Sequence, residues 1–390
     1  MNKRENFLNI LDFKTPERVI HTLPVYELHY YGMNHEGIDH PQGDDSPVGS
    51  TWTDIWGTGW RKIHAGVMGM MDFYPLAEPA ALRTYAWPDP DDPRLVGQIE
   101  RLKQGYPGGD LLLAGGHRDT LWEKAYMLVG MQELMMYFIS EPGFAQEVLH
   151  RIMDFQLAMA RHYLSQGIEI AHLGDDLGTQ QGALLGPRIV NRFLRPEYQR
   201  LFDLYRQHGV RIAFHSCGRV DSVLDMFMDL GVDILNPVQA TANDLDALRA
   251  RTQGKMALQG GVSSATIMDG QSSASSRKCA PACGSWAAMA VTSASPTRAC
   301  PTHPSTCAPS KKRSNAMEHI LFHHLRSFYE QRLVPAGKVW HDGALGVVRS
   351  PRRRMERPAH ALYRGVGPVL FPHPGRGIQQ ARQRLQPDPF

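Results

Sequence analysis

The sequence predicts an α/β protein built as a (β/α)8 TIM barrel whose eighth strand is lost from the reading frame. Three observations carry this. From about residue 110 to 260, short apolar segments alternate with amphipathic helices, the pattern of a parallel sheet with right-handed crossovers. Polar groups collect after each strand: His117-Arg118-Asp119, Asp175-Asp176, His215 with Cys217, Asn236 with Gln239, then Gln259. Chemistry gathered at the C-terminal ends of many strands is how such a barrel is used. Finally, no Gly-x-Gly-x-x-Gly follows a strand and no phosphate loop occurs, which weakens a dinucleotide-binding reading.

Taken in order, residues 23–31 (Leu-Pro-Val-Tyr-Glu-Leu-His-Tyr-Tyr) read as the first strand, and the second is expected within 55–75. Residues 110–116 form the next. A helix over 143–166 has Val148, Ile152, Phe155 and Met159 at three- and four-residue spacing, and Gly167 stops it. Strand 168–173 ends in Gly174-Asp175-Asp176. A helix opens near Pro196, a residue suited to the first helical turn, carries Tyr198, Leu201, Phe202 and Tyr205 on one side, and ends at Gly209. Strand 211–215, helix 220–230 closed by Gly231, strand 232–236, helix 242–251 and strand 255–259 follow. Trp52, Trp56 and Trp60 recur every four residues, which suggests one helix face or a lid over the barrel mouth, with packing in the core the safer reading. The methionines at 68–71 and 135–136 read as core filler.

The net charge of +3 hides a break. Residues 1–270 carry 24 Lys and Arg against 34 Asp and Glu, whereas residues 271–390 carry 18 against 5 and hold four of the five cysteines. Cys279-x3-Cys283 and Cys300-x6-Cys307 match no common zinc finger, and the basic residues lack periodicity. Reading from the third base of each codon turns 278–284 into a helix-like V-R-A-R-M-R and 288–294 into a strand-like D-G-G-Y-F-C. Residues 295–304 become P-D-Q-G-M-P-Y-P-P, and an amphipathic helix follows. One fixed offset thus restores ordinary elements in order. The barrel is expected over 1–270, with 271–390 a frame-shifted, non-native and poorly ordered segment. Lys311-Lys-Arg313 and Arg352-Arg-Arg354 are then products of the frame, not nucleic-acid patches. No apolar run approaches the length of a membrane span, and no leader-like stretch opens the chain, so a cytoplasmic protein is expected, with no membrane partner.

Residues at i and i+2 of a strand share a face, so His215 and Cys217 converge. An imidazole beside a soft thiolate suits zinc, although a satisfied core His and a buried Cys are the plain alternative. Asp175 and Asp176 are catalytic candidates, as a general base or a partner to a metal-bound His; capping the next helix is the commoner task of Asp after a strand. His117, Asn236, Gln239 and Gln259 are candidates for substrate contact, and Glu27 is a weaker one.

These residues together resemble the uroporphyrinogen decarboxylase superfamily. The similarity lies in Lys3-Arg4-Glu5-Asn6-Phe7 through Pro16-Glu17-Arg18-Val19, Trp87-Pro88-Asp89-Pro90, Gly174-Asp-Asp-Leu-Gly-Thr-Gln180, Phe214-His-Ser-Cys-Gly218, Val232-Asp-Ile-Leu-Asn-Pro-Val-Gln239 and Gln259-Gly-Gly-Val262. The decarboxylase proper has carboxylate-clamping arginines after its first strand; here stands Tyr26-Glu27-Leu28-His29-Tyr30-Tyr31, with none. The His-x-Cys pair is instead similar to the zinc site of the corrinoid-linked methyltransferases of that superfamily. The resemblance implies an enzyme that moves a methyl group between a small-molecule substrate and a corrinoid protein or thiol, with a third zinc ligand on the eighth strand. Two alternatives stand beside it: a metal-independent decarboxylase of uroporphyrinogen or a related acid, and an inactive truncated barrel.

Overall fold

A computed structural model describes residues 1–20 and 22–261; the expectations placed on 271–390 lie outside these. The chain opens with helix α1 (Lys3–Leu11), started by a capping box in which the Asn2 side chain accepts from the Glu5 N–H and Glu5 reaches back to the Asn2 N–H. Its apolar residues Phe7 and Leu11 pack against the first residues of the strands that follow.

Six parallel strands form the principal sheet: β1 (Val25–Leu28), β5 (Leu112–His117), β6 (Ile170–Gly174), β7 (Arg211–His215), β8 (Ile234–Val238) and β9 (Ala257–Gly260). They pair strictly in chain order, as successive staves of a barrel wall do. On the inner face Val25, Leu112, Ala114, Ile170, Ala213, Ile234 and Ala257 make a hydrocarbon floor with Phe7 and Leu11. Alternation then places Glu27, Gly116, His172, His215, Asn236 and Gln259 on that same face, nearer the C-terminal ends.

The strand expected within 55–75 is not part of this sheet, because β1 pairs directly with β5. Residues there form a separate antiparallel sheet of β2 (Thr51–Thr53), β3 (Gly59–Arg61) and β4 (Met70–Phe73). The four-residue spacing of the tryptophans therefore reflects a hairpin and not a helix. Trp52 sits opposite Trp60, the rings stack at 6.3 Å, and Trp60 stacks on His35 at 4.2 Å. A turn held by Asp54, which accepts from the Trp56 and Thr58 N–H groups and the Trp60 indole, brings all three tryptophans into the core. The described residues thus supply six barrel strands and not seven.

Helices cover the outer face: α2 (Pro93–Gln104), α3 (Trp122–Val129), α4 (Met131–Ser140), α5 (Pro142–Ser165), a short turn α6 (Pro187–Ile189), α7 (Arg195–Gln207), α8 (Leu224–Leu230) and α9 (Leu245–Thr252). In α5 the expected stripe of Val148, Ile152, Phe155 and Met159 is buried, as are Tyr198, Leu201, Phe202 and Tyr205 of α7. Gly231, at φ 83°, ends α8 in the left-handed conformation that an L side chain rarely adopts.

Candidate functional site

Three donors from two adjacent strand ends meet at the barrel mouth. His215 is the last residue of β7, Cys217 lies two residues on, and Asp176 follows β6. Their ligand atoms all fall within 4.8 Å of one another. Cys217 Sγ is 3.4 Å from His215 Nε2, which is 3.6 Å from Asp176 Oδ1. Bonds of about 2.0–2.3 Å from a tetrahedral ion predict ligand-to-ligand edges of roughly 3.3–3.6 Å, so the imidazole nitrogen already stands at the right separation from both the sulfur and the carboxylate oxygen. The His tautomer follows from its partner. Nδ1 lies 2.9 Å from Asn236 Oδ1, an acceptor only, so Nδ1 carries the hydrogen and Nε2 presents its lone pair to Cys217 and Asp176.

Backbone packing makes this convergence possible. The Cys217 N–H donates to Asp176 Oδ1 at 2.7 Å. Gly178 and Gly218 touch backbone to backbone, and a Cβ on Gly178 would stand 2.6 Å from Arg219 N. A side chain at either glycine would push the loop after β6 off the loop after β7 and separate Asp176 from Cys217. Burial, together with the charge and hydrogen bonding of Asp176 and the charge of Glu123, pushes the Cys217 thiol up to about 12. A thiol surrounded by carboxylates stays protonated at neutral pH until a cation reverses the local balance. The donor set therefore fits a divalent, borderline-soft ion.

The other expected site residues divide. Gln239 Oε1 accepts from the Gly218 N–H at 3.1 Å and from Gln180 Nε2 at 2.6 Å, which ties the Cys217 loop to the loop after β8. Gln259 stands on the inner face, and its Oε1 is buried with no hydrogen-bond partner among the described residues. Asp175 faces away from the mouth. It is fully buried and accepts from the Leu121 and Glu123 N–H groups at 2.8 and 2.7 Å and from Tyr198 Oη at 2.7 Å, so it caps the start of α3 from across the sheet. That geometry leaves it no face for substrate, and of the two aspartates Asp176 alone stands beside His215 and Cys217. His117 is also misassigned as a substrate contact. It lies in the helix layer, 1% exposed, with Nδ1 2.7 Å from Gln156 Oε1 and Nε2 hydrogen-bonded to Tyr205 Oη. Burial lowers its pKa to about 4 and keeps it neutral.

Residues 74–284, more than half of the chain, match the family model described as uroporphyrinogen decarboxylase (URO-D). The chain belongs to the uroporphyrinogen decarboxylase family. Among solved structures, a methyltransferase from Methanosarcina mazei superposes with a TM-score of 0.52 at 14% identity, covering 72% of this chain and 90% of that one. At that identity the likeness is one of fold. No curated protein matches the chain.

Two further ionisable groups of this URO-D family member lie near the site. Glu123, in the first turn of α3, accepts from Tyr126 Oη at 3.0 Å, and burial with the nearby Asp119, Asp175 and Asp176 raises its carboxyl to about 9. It is a neutral acid at pH 7 beside three aspartates. Glutamate in a first helical turn is ordinary, so the sequence gives no signal for it. Lower in the barrel, Glu27 of β1 and His172 of β6 are joined through Oε2 and Nδ1 at 2.5 Å. Burial raises the Glu27 carboxyl, but the hydrogen bond and charge of His172 outweigh it and hold Glu27 below the usual range. His172 is detectable as the polar middle of an inward Ile170-x-His172-x-Gly174 alternation.

Proposed function

We propose that the protein is a methyltransferase that moves a methyl group between a small-molecule substrate and a corrinoid carried on a partner protein, at a zinc ion held by Asp176, His215 and Cys217. The observation that carries the reading is the convergence of these three donors within 4.8 Å of one another, with Asn236 fixing the imidazole tautomer. Zinc bound there would supply Lewis acidity toward a methyl-bearing heteroatom or thiol. The chain's own residues do the rest. Asn236 orients His215, Gln239 and the paired glycines hold the Cys217 loop against Asp176, and Glu123 keeps a proton close to the reacting centre.

Decarboxylation of a polyanionic porphyrinogen fits this mouth less well, since such a substrate needs cations for its carboxylates. The first strand offers Glu27, and Arg118 after β5 is already paired with Asp44 at 2.7 Å and lies near Asp119. Elemental analysis tests the reading. Purified protein is expected to hold one zinc per chain, and Cys217→Ala to lose it while melting like the parent. Trace zinc in the parent, or full zinc in Cys217→Ala, would overturn it. No helix of the described residues is long and apolar enough to cross a membrane.

A further inference from the structure

Below the strand-end cluster, the inner face carries an ionisable pair that the proposed metal chemistry does not use. Glu27 and His172 project from β1 and β6 on either side of β5, whose intervening inward residue is Gly116. A Cβ at Gly116 would stand 2.9 Å from Glu27 Oε1 and 3.2 Å from Met33 Sδ, so the glycine leaves room for the carboxylate. Immediately beneath lie Val25, Leu112, Ala114, Ile170, Ala213 and Ile234, a floor with no polar side chain.

A carboxylate standing over hydrocarbon is costly unless it is paired, and His172 supplies only one of the hydrogen bonds it can accept. The Glu27 side chain keeps 37% of its surface, and Oε1 has no partner among the described residues. Nor does His172 Nε2, which is buried. Nδ1–H donates to Glu27 Oε2, which orients the carboxylate and leaves Oε1 beside Gly116. Gln259 Oε1 is a further acceptor without a partner on the same face. Two oxygens of this lumen, Glu27 Oε1 and Gln259 Oε1, are therefore acceptors without a partner among the described residues.

We infer that Glu27, positioned by His172, recognises a cationic nitrogen of the substrate, so that the barrel takes a small molecule bearing an ammonium- or amidinium-like N–H donor. This deepens the methyl-transfer reading and rests on the mouth above being the reacting centre. Such a group would give Glu27 Oε1 a charge-assisted hydrogen bond and fill the carboxylate's open position.

The test uses two probes of one shape, acetamidinium and neutral acetamide, observed by saturation-transfer difference NMR of their methyl groups on the full chain. Acetamidinium is expected to show transfer and acetamide little. Glu27→Gln, which keeps shape and removes charge, is expected to lose that preference while its zinc content is unchanged. His172→Gln is expected to weaken acetamidinium transfer, because the carboxylate is no longer held. Equal transfer from both probes on the wild type would overturn the inference without any variant, as would a preference that survives Glu27→Gln with native circular dichroism. Absence of zinc would count against the methyl-transfer reading and leave the probe preference measurable, so the two failures are distinct.

Discussion

Asn236 touches the candidate metal only through His215, and its effect is measurable for that reason. Its Oδ1 fixes the hydrogen on Nδ1 at 2.9 Å, and losing such an orienting partner typically weakens metal affinity about 10–100-fold. Asn236→Ala is expected to weaken zinc binding in that range, read by chelator competition, with the melting temperature little changed. His117 gives a pH dependence. Its folded pKa is near 4 against an ordinary 6.5, so the fold holds it neutral while the unfolded chain protonates it. Its contribution is complete above pH 6.5 and is lost as pH falls toward 4, a span of about 3 kcal/mol by the usual conversion. Denaturant unfolding of His117→Gln should show a shallower loss between those pH values than the parent. At this scale the sequence speaks through spacing. His215 and Cys217 were legible because two-residue spacing on a strand fixes a common face. Asp175 and Asp176 were not separable, since adjacent residues point opposite ways and only the register decides which one meets the mouth. Gly174 pairs with His215, which sends Asp175 under α3.

At the scale of elements, a buried imidazole stacked on Trp60 of the small sheet helps join it to the loop after β5. His35 is fully enclosed, with Nε2 2.7 Å from Asp119 Oδ2 and Nδ1 3.1 Å from Asp44 Oδ1. Burial lowers its pKa, but the charge and hydrogen bonds of the two carboxylates more than restore it, and the net shift is upward. This contribution is present below pH 6.5 and fades as pH rises through the raised value. Asp44, drawn down to about 2 by His35 and Arg118 against its burial, contributes above its ordinary 3.8 and loses that only in strong acid. Breaking a buried pair from one side typically costs about 3–5 kcal/mol. Asp119→Asn is expected to destabilise by that order and to raise amide exchange in β2–β4 before the main sheet. Unchanged exchange there would show that the tryptophan packing alone holds the sheet. The helix stripes of α5 and α7 were readable because a 3.6-residue period survives any tertiary context. The tryptophan spacing misled because a hairpin of this length also repeats every four residues, and a sequence window does not distinguish the two.

For the whole molecule, the barrel was legible from alternation and strand-end polarity, and its count of strands was not. β1 and β5 are neighbours although more than 80 residues separate them, and nothing in the intervening composition announces that these residues leave the wall. Among the described residues, β1 and β9 each have a single strand neighbour. A barrel is stable because closure removes such edges. If the reading frame changes after about residue 270, returning the gene to the other frame is expected to raise soluble yield and melting temperature; equal values for both forms would contradict that. We propose for the mouth that Asp176, His215 and Cys217 hold one metal ion that serves methyl transfer. X-ray absorption at the zinc edge of the purified protein tests it most directly. The account predicts one sulfur at about 2.3 Å with the remaining nitrogen and oxygen scatterers at about 2.0–2.2 Å. The sulfur should disappear in Cys217→Ala. A first shell without sulfur, or one unchanged by that substitution, would contradict it.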